Sequence, residues 1–250
     1  MADLRFELVD EANVGDIPSP ALQSAGCRTC DYWERIDGSR AAPPDDAIDV
    51  EARAALKRRR LLAGEGISGS YAMLAYATES NTDVAMGYAQ FGPLSAYPRA
   101  QSIRERYPEL PESPAPWVIT CLQIALDDSD RHASGVALLN AVADELDGRG
   151  ITAVESFPEA AVDPWLPSPG PVSVYEEAGF ARAAGDDRYP VYRRELTGET
   201  DADAWSGLLR ASEPDQGDGW PLPLPPMRDP DDLFRLPADA PKRPNPFGDD

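Results

Sequence analysis

Two carboxylates and one turn carry the residue types and spacing that could do chemistry. Glu155 lies inside the apolar run Ala153-Val154-Glu155-Ser156-Phe157. A parallel strand of that composition is covered on both faces. A carboxylate there is costly unless it is paired or used, and burial moves a carboxylate toward the working range of a base. The other reading places Glu155 at an open strand end, facing water. Glu34 follows Trp33, and an aromatic ring beside a carboxylate suits the binding of a cationic amine. A packing indole next to a solvated carboxylate is the plainer alternative. The turn is Arg131-His132-Ala133-Ser134-Gly135-Val136, which puts small residues where a helix is expected to begin. Several unpaired backbone N–H groups could there approach one anion closely, and a pyrophosphate fits such a helix start. Arg131 would add a charge-assisted contact. An ordinary strand-to-helix connection, with Ala and Ser for packing, uses the same residues.

The three cysteines point elsewhere. Cys27 and Cys30 are spaced Cys-x-x-Cys, and a structural zinc would need two more ligands. Only Cys121 and the single histidine, His132, remain, and Cys121 lies in a run that reads as a buried strand. No metal is expected. A redox pair would want a thioredoxin-like setting, and Cys121 as a nucleophile has no neighbouring base. The thiols read as small buried hydrophobes.

The elements that must position these residues follow from periodicity. The run from Trp117 to Leu126 reads as a strand, and Asp127 to Gly135 as a polar turn. Val136, Leu139, Val142 and Leu146 recur at three- and four-residue steps, the stripe of an amphipathic helix. Gly148 and Gly150 stop it. Ile151 to Phe157 is a second strand, so the whole is a βαβ unit with a parallel pair as its outcome. Upstream, Leu4 to Val9 alternates as a strand, and a helix capped by Asp45 or Asp46 runs through Leu62 to Gly64. Its Lys57-Arg58-Arg59-Arg60 run reads as a solvated face. Cys30 to Ile36 could form a short helix. Residues 68–78 and 82–91 read as a hairpin, and Gly92 to Pro116 as a long proline-broken loop. Tyr189 to Leu196 reads as the last strand. Beyond it, ten of the last fifty residues are proline, which favours an extended, partly ordered tail over a packed unit.

Downstream of the βαβ unit stands Tyr175-Glu176-Glu177-Ala178-Gly179-Phe180. It matches the Tyr-x-x-x-Gly-Phe signature of the GNAT superfamily of acyl-CoA-dependent N-acyltransferases, which the chain resembles over about residues 3 to 197. The family's pyrophosphate motif, Gln/Arg-x-x-Gly-x-Gly/Ala, is degenerate here. One register runs His132 to Ala137; another, set by Leu138-Leu139, puts Ala133 and Gly135 on the two glycines. Cys27-Arg28-Thr29-Cys30-Asp31-Tyr32-Trp33-Glu34 and Met86 to Pro93 look like a GNAT subgroup with an N-terminal Cys-x-x-Cys-x-Tyr-Trp-Glu segment. The resemblance implies an α/β fold with a mixed, splayed central sheet flanked by helices over residues 1–197, and a tail over 198–250. It implies acetyl-CoA as co-substrate, held by backbone at Gln123, Ile124 and Ala125 and by residues 131–136. It also implies Tyr175 as the acid that protonates the leaving sulfur. Direct transfer of an acetyl group to a primary amine is the function it suggests, with Glu155 as base and Trp33 and Glu34 at the acceptor. A non-catalytic acyl-CoA-binding or regulatory protein of the same fold is the alternative, and a zinc-stabilised interaction protein a third.

Composition excludes other classes. The chain of 250 residues is long enough for one good core. Its net charge of −21 argues against nucleic acid or an anionic membrane as partner. Only two residues, Lys57 and Lys242, are lysine, a bias that fits either a salt-rich cytoplasm or a GC-rich genome. With no apolar run of membrane-spanning length and no signal-like start, a cytoplasmic location is expected.

Overall fold

The apolar runs pair into one seven-stranded mixed sheet in the computed structural model of the chain. It describes residues 4–18, 26–35, 47–64, 68–79, 82–112, 114–125, 128–158, 168–187 and 190–197. The strands are β1 (Leu4–Leu8), β2 (Ala72–Glu79), β3 (Thr82–Pro93), β4 (Trp117–Ile124), β5 (Ala153–Ser156), β6 (Ala181–Ala184) and β7 (Val191–Glu195), in the order β1-β2-β3-β4-β5-β7-β6. Only β4 and β5 run parallel; every other pairing is antiparallel. Among the described residues four α-helices flank the sheet: α1 (Ala47–Leu61), α2 (Pro98–Arg104), α3 (Asp128–Gly148) and α4 (Val172–Glu177).

Alternation along the strands sorts the core into two layers. On one face Ile119, Leu122 and Val154 meet Leu138, Leu139, Val142 and Leu146 of α3, with Val174 and Tyr175 of α4. On the other, Leu74, Tyr88, Val118 and Cys121 meet Leu61 of α1, Ala100 of α2, Trp33 and Phe157. The α/β class and the βαβ unit stand as the sequence implies.

Four elements differ from the sequence reading. The stretch from Gly92 to Pro116 is not all loop, because Pro98 sits at the first helical position of α2. Its fixed φ suits that place, and the missing N–H costs nothing there. Ala181-Arg182-Ala183-Ala184 carries almost no strand propensity and becomes β6 only by pairing with β7 at the sheet edge. The third difference touches the site. The turn expected from Asp127 to Gly135 is largely helix, since α3 begins at Asp128. Aspartates are favoured in a first turn, where their charge complements the helix dipole. Gly135 is explained by packing: a Cβ there would lie 3.1 Å from Val174 Cγ1, so glycine lets α4 approach α3. The proline-rich tail, Asp45, Asp46 and Ile36 lie outside the described residues, while residues 31–35 form turns rather than the short helix expected over Cys30 to Ile36.

These layers fix the contrast between two positions of α3. Leu139 is fully buried against the sheet, so Leu139→Ala should cost about 2–5 kcal/mol in urea unfolding. His132, half-buried and paired with the exposed Glu177, should change stability by under about 1 kcal/mol on replacement by alanine. Equal losses would contradict this orientation of α3.

Candidate active site

The site begins with a bulge. In the β3–β4 ladder Gln90 pairs Cys121 and Phe91 pairs Ile119, so Thr120 is the extra residue on β4. Its hydroxyl donates to the Gln90 carbonyl at 3.3 Å. A bulge turns the strand and shifts its facing. The parallel pairing of β4 with β5 stops at the same level, spanning only Trp117–Val154, Val118–Glu155 and Ile119–Ser156. From Thr120 onward β4 still follows β3 but has lost β5, so the sheet centre is split.

Strand alternation decides which backbone groups face the split. The Leu122 N–H leaves β4 on the β5 side, donating to the Ser168 carbonyl at 3.1 Å, and the Ala125 N–H goes the other way, to Met86 on β3 at 2.7 Å. Ile124, two residues beyond Leu122, therefore aims its amide into the split, while Gln123 shares the β3 side with Ala125. Of the three backbone positions named for the thioester, the geometry singles out Ile124. The Gln123 side chain reaches the Ser168 carbonyl at 3.5 Å.

Residues 131–136 are placed differently from the sequence expectation. They form the first turns of α3, and the amides that lack helical acceptors are those of its first four residues, 128–131. Arg131 is exposed and His132 half-buried, with His132 Nε2 2.7 Å from Glu177 Oε2. Ala133 and Val136 are half-buried, and Ser134 and Gly135 are buried. Gly135 and Ser134 are packing residues in this setting.

Tyr175 sits at the foot of the split. It is fully buried, edge-on to Phe180, and its hydroxyl donates to the Pro169 carbonyl at 2.6 Å. Burial pushes its phenol well above the ordinary value, against the opposing effect of a hydrogen bond with Ser156. The segment 168–170 thus occupies one rim, bonded to Leu122 through Ser168 and to Tyr175 through Pro169. Gly170 has φ +98°, and a Cβ there would meet Leu122 at 3.1 Å.

The two carboxylates have opposite surroundings. Glu155 is fully buried, and both its oxygens are taken: Arg193 Nη1 lies 2.7 Å from Oε1 and Arg104 Nε 2.8 Å from Oε2. It clamps α2 to β5 and β7: the strand is covered, as expected, and the carboxylate is paired there instead of facing water at an open strand end. The Glu34 side chain is nearly as enclosed, at 5% exposure, but only half used. Its Oε1 accepts from Lys57 Nζ at 2.9 Å and Gln90 Nε2 at 3.1 Å, whereas its Oε2 is buried with no partner. Lys57 also donates to Gln90 Oε1 at 2.6 Å, and Tyr88 to the same oxygen at 3.3 Å. Beside Glu34, Trp33 stacks on Phe157, just past the end of β5, with centroids 6.2 Å apart, and its Nε1 is likewise unpartnered. The pair therefore sits over the split, on the face opposite Tyr175.

Sequence reasoning missed Lys57 and Gln90. The signal was present: Ala54, Lys57 and Leu61 fall on one helical stripe, so the lysine occupies a core position in a chain that otherwise uses arginine. The cysteines surround this pair. Burial raises Cys27 to about 12 and raises Cys30 and Cys121 too, while Lys57 pulls each of them down. Among the described residues no three His, Cys, Asp or Glu side chains gather as a metal site requires, and no helix is long and apolar enough to cross a membrane.

No family model matches the chain, and no curated protein does. The solved structures similar to it include GNAT-family acetyltransferases. A putative acetyltransferase from Salmonella typhimurium, solved with its cofactor acetyl-CoA, is 16% identical with a TM-score of 0.41, covering 80% of this chain and 98% of that one. A putative GNAT-family acetyltransferase from Desulfovibrio desulfuricans is 16% identical with a TM-score of 0.40, covering 78% and 99%. The ribosomal-protein-S18-alanine N-acetyltransferase of Escherichia coli is 11% identical with a TM-score of 0.39, covering 80% and 97%.

Two outcomes test the buried cluster. Lys57→Met strands the Glu34 charge and should lower stability by about 3–5 kcal/mol in chemical denaturation; a loss under 1 kcal/mol would mean that the ion pair is not buried. For the thiols, the folded value of Cys27 is raised from its ordinary 9.0 to about 12. Unfolded chains then lose that proton first as pH climbs, so its stabilising contribution is complete below 9 and disappears between 9 and 12. Cys27→Ala should flatten the alkaline fall in stability over that window; an unchanged profile would contradict the burial.

Proposed function

We propose that this chain is an acyl-CoA-dependent N-acyltransferase of the GNAT type, acting in the cytoplasm and moving an acetyl group from acetyl-CoA to a primary amine. The observation that carries the reading is the split after Thr120, with the Ile124 amide aimed into it. Tyr175 and the unpartnered Glu34 oxygen stand on opposite faces of that split. Acetyl-CoA would supply the activated acyl carbon, with the thioester oxygen within reach of the Ile124 N–H. A donor preorganised at that position stabilises the negative charge that develops on the oxygen. Glu34 Oε2 would accept a proton from the amine as nitrogen attacks the carbonyl carbon and the carbon–sulfur bond breaks. Glu34 is preferred to Glu155 because two guanidinium groups already occupy the latter's oxygens. Tyr175 would return a proton to sulfur by exchanging its Pro169 contact for the leaving thiolate. The 128–131 amides and Arg131 would meet the pyrophosphate.

A specific feature favours a second reading. Asp128 and Asp130 fall in the first turn of α3, where like charge opposes a pyrophosphate. A non-catalytic acyl-CoA-binding or regulatory protein would tolerate that.

Calorimetric titration with acetyl-CoA, beside an acetyl-transfer assay on an amine panel, separates the two. Glu34→Gln should keep acetyl-CoA affinity within about twofold and lose on the order of 100-fold in kcat/KM. Binding without transfer by the native chain would support the second reading. Glu155→Gln losing turnover in a folded protein, while Glu34→Gln keeps it, would return the base to Glu155.

A further inference from the structure

The charge balance around Glu34 says which amine this site would take, granted that it binds the acceptor as proposed above. Glu34 and Lys57 form a closed pair with side-chain exposures of 5% and 4%, so neither charge is shared with water. Gln90 is held in one orientation, its Oε1 receiving Lys57 and Tyr88 and its Nε2 reaching Glu34. The other ionisable groups packed on this pair are uncharged near neutrality. Burial holds the thiols of Cys27, Cys30 and Cys121 and the phenols of Tyr88 and Tyr97 above their ordinary values. On the segment that carries Glu34, Asp31 lies 3.7 Å from Arg35, and Arg99 stacks over Tyr32 at 3.9 Å. The carboxylate is thus already paired with a cation before any acceptor arrives, and Arg99, beside Tyr32, adds positive charge.

We infer that the acceptor is a weakly basic primary amine, of the α-amino kind at a peptide chain end, which meets the free Glu34 oxygen uncharged, and not a strongly basic ε-amine. An ammonium entering here would bring a second buried cation to a carboxylate that Lys57 has satisfied, with desolvation opposing it. A neutral amine meets the same oxygen as a hydrogen-bond donor, with its lone pair ready for attack. The acidic surface of the chain would suggest a cationic acceptor; Lys57 reverses that preference locally.

The test uses the full chain, saturating acetyl-CoA and two short peptides of matched sequence. One has a free N-terminus and no lysine; the other is N-terminally blocked and carries a single lysine. At pH 7 the free N-terminal peptide should be acetylated on the order of 100-fold better in kcat/KM, as expected from ordinary amine values of about 8 and 10.4. Its rate should level near pH 8, while the lysine peptide gains about tenfold per pH unit up to pH 9. Lys57→Met, which leaves Glu34 bare, should cut the preference at least tenfold, and Lys57→Arg, which keeps the charge, should preserve it. If Lys57→Met does not fold, the native order and the pH profiles still decide. Equal or better use of the lysine peptide would overturn this inference while leaving the acyltransferase reading intact. Transfer to neither peptide, nor to any amine in the panel, would sink both.

Discussion

Everything proposed for this chain depends on the loss of one pairing. A parallel pair normally continues for the length of its shorter strand, and β5 is short, ending at Ser156. The extra residue at Thr120 turns β4 at that same level. The result is an edge inside a sheet, a feature proteins usually avoid because unpaired backbone groups there are costly when dry. Part of that cost is met by the Ser168 carbonyl, which takes the Leu122 N–H. The Ile124 amide, two residues on, points to the same side as that of Leu122, and a thioester oxygen is the kind of acceptor that would fit it.

The two buried carboxylates show how similar residues acquire different uses. Glu155 is bound on both oxygens by arginines from α2 and β7, a complete arrangement that ties the helix to the two neighbouring strands. Glu34 is bound on one oxygen only, by a lysine and a glutamine that fix its plane. A buried acceptor without a donor is rare in folded proteins, since each such group forfeits its hydration. Together with the unpartnered Trp33 N–H, it marks a place beside the split where buried polar atoms lack a hydrogen-bond partner among the described residues.

Much of the fold was legible because it rests on periodicity. The α3 stripe and the flanking apolar strands could hardly form anything but a βαβ unit, and the Tyr175 signature lay where the unit needed its next helix. The site was less legible. Small residues at 133–135 read equally well as a phosphate turn or as a tight helix contact, and only Val174, distant in sequence, decides between them. Glu155 was visible as an anomaly in a strand, but its partners Arg104 and Arg193 arrive from elements 51 and 38 residues away. Lys57 was masked by the three arginines that follow it, although its helical phase pointed inward. Local spacing records which residues are unusual; long-range contacts settle whether they are used or merely satisfied.

The most direct test is amide NMR of a nitrogen-labelled sample titrated with acetyl-CoA. The Ile124 N–H, aimed into the split, should move more than any other amide of β4, with smaller movement at 128–131. Gln123 and Ala125, turned toward β3, should hold still. Saturation by acetyl-CoA with Ile124 unmoved, or with the β3-facing amides moving instead, would contradict the account of the split as the thioester site.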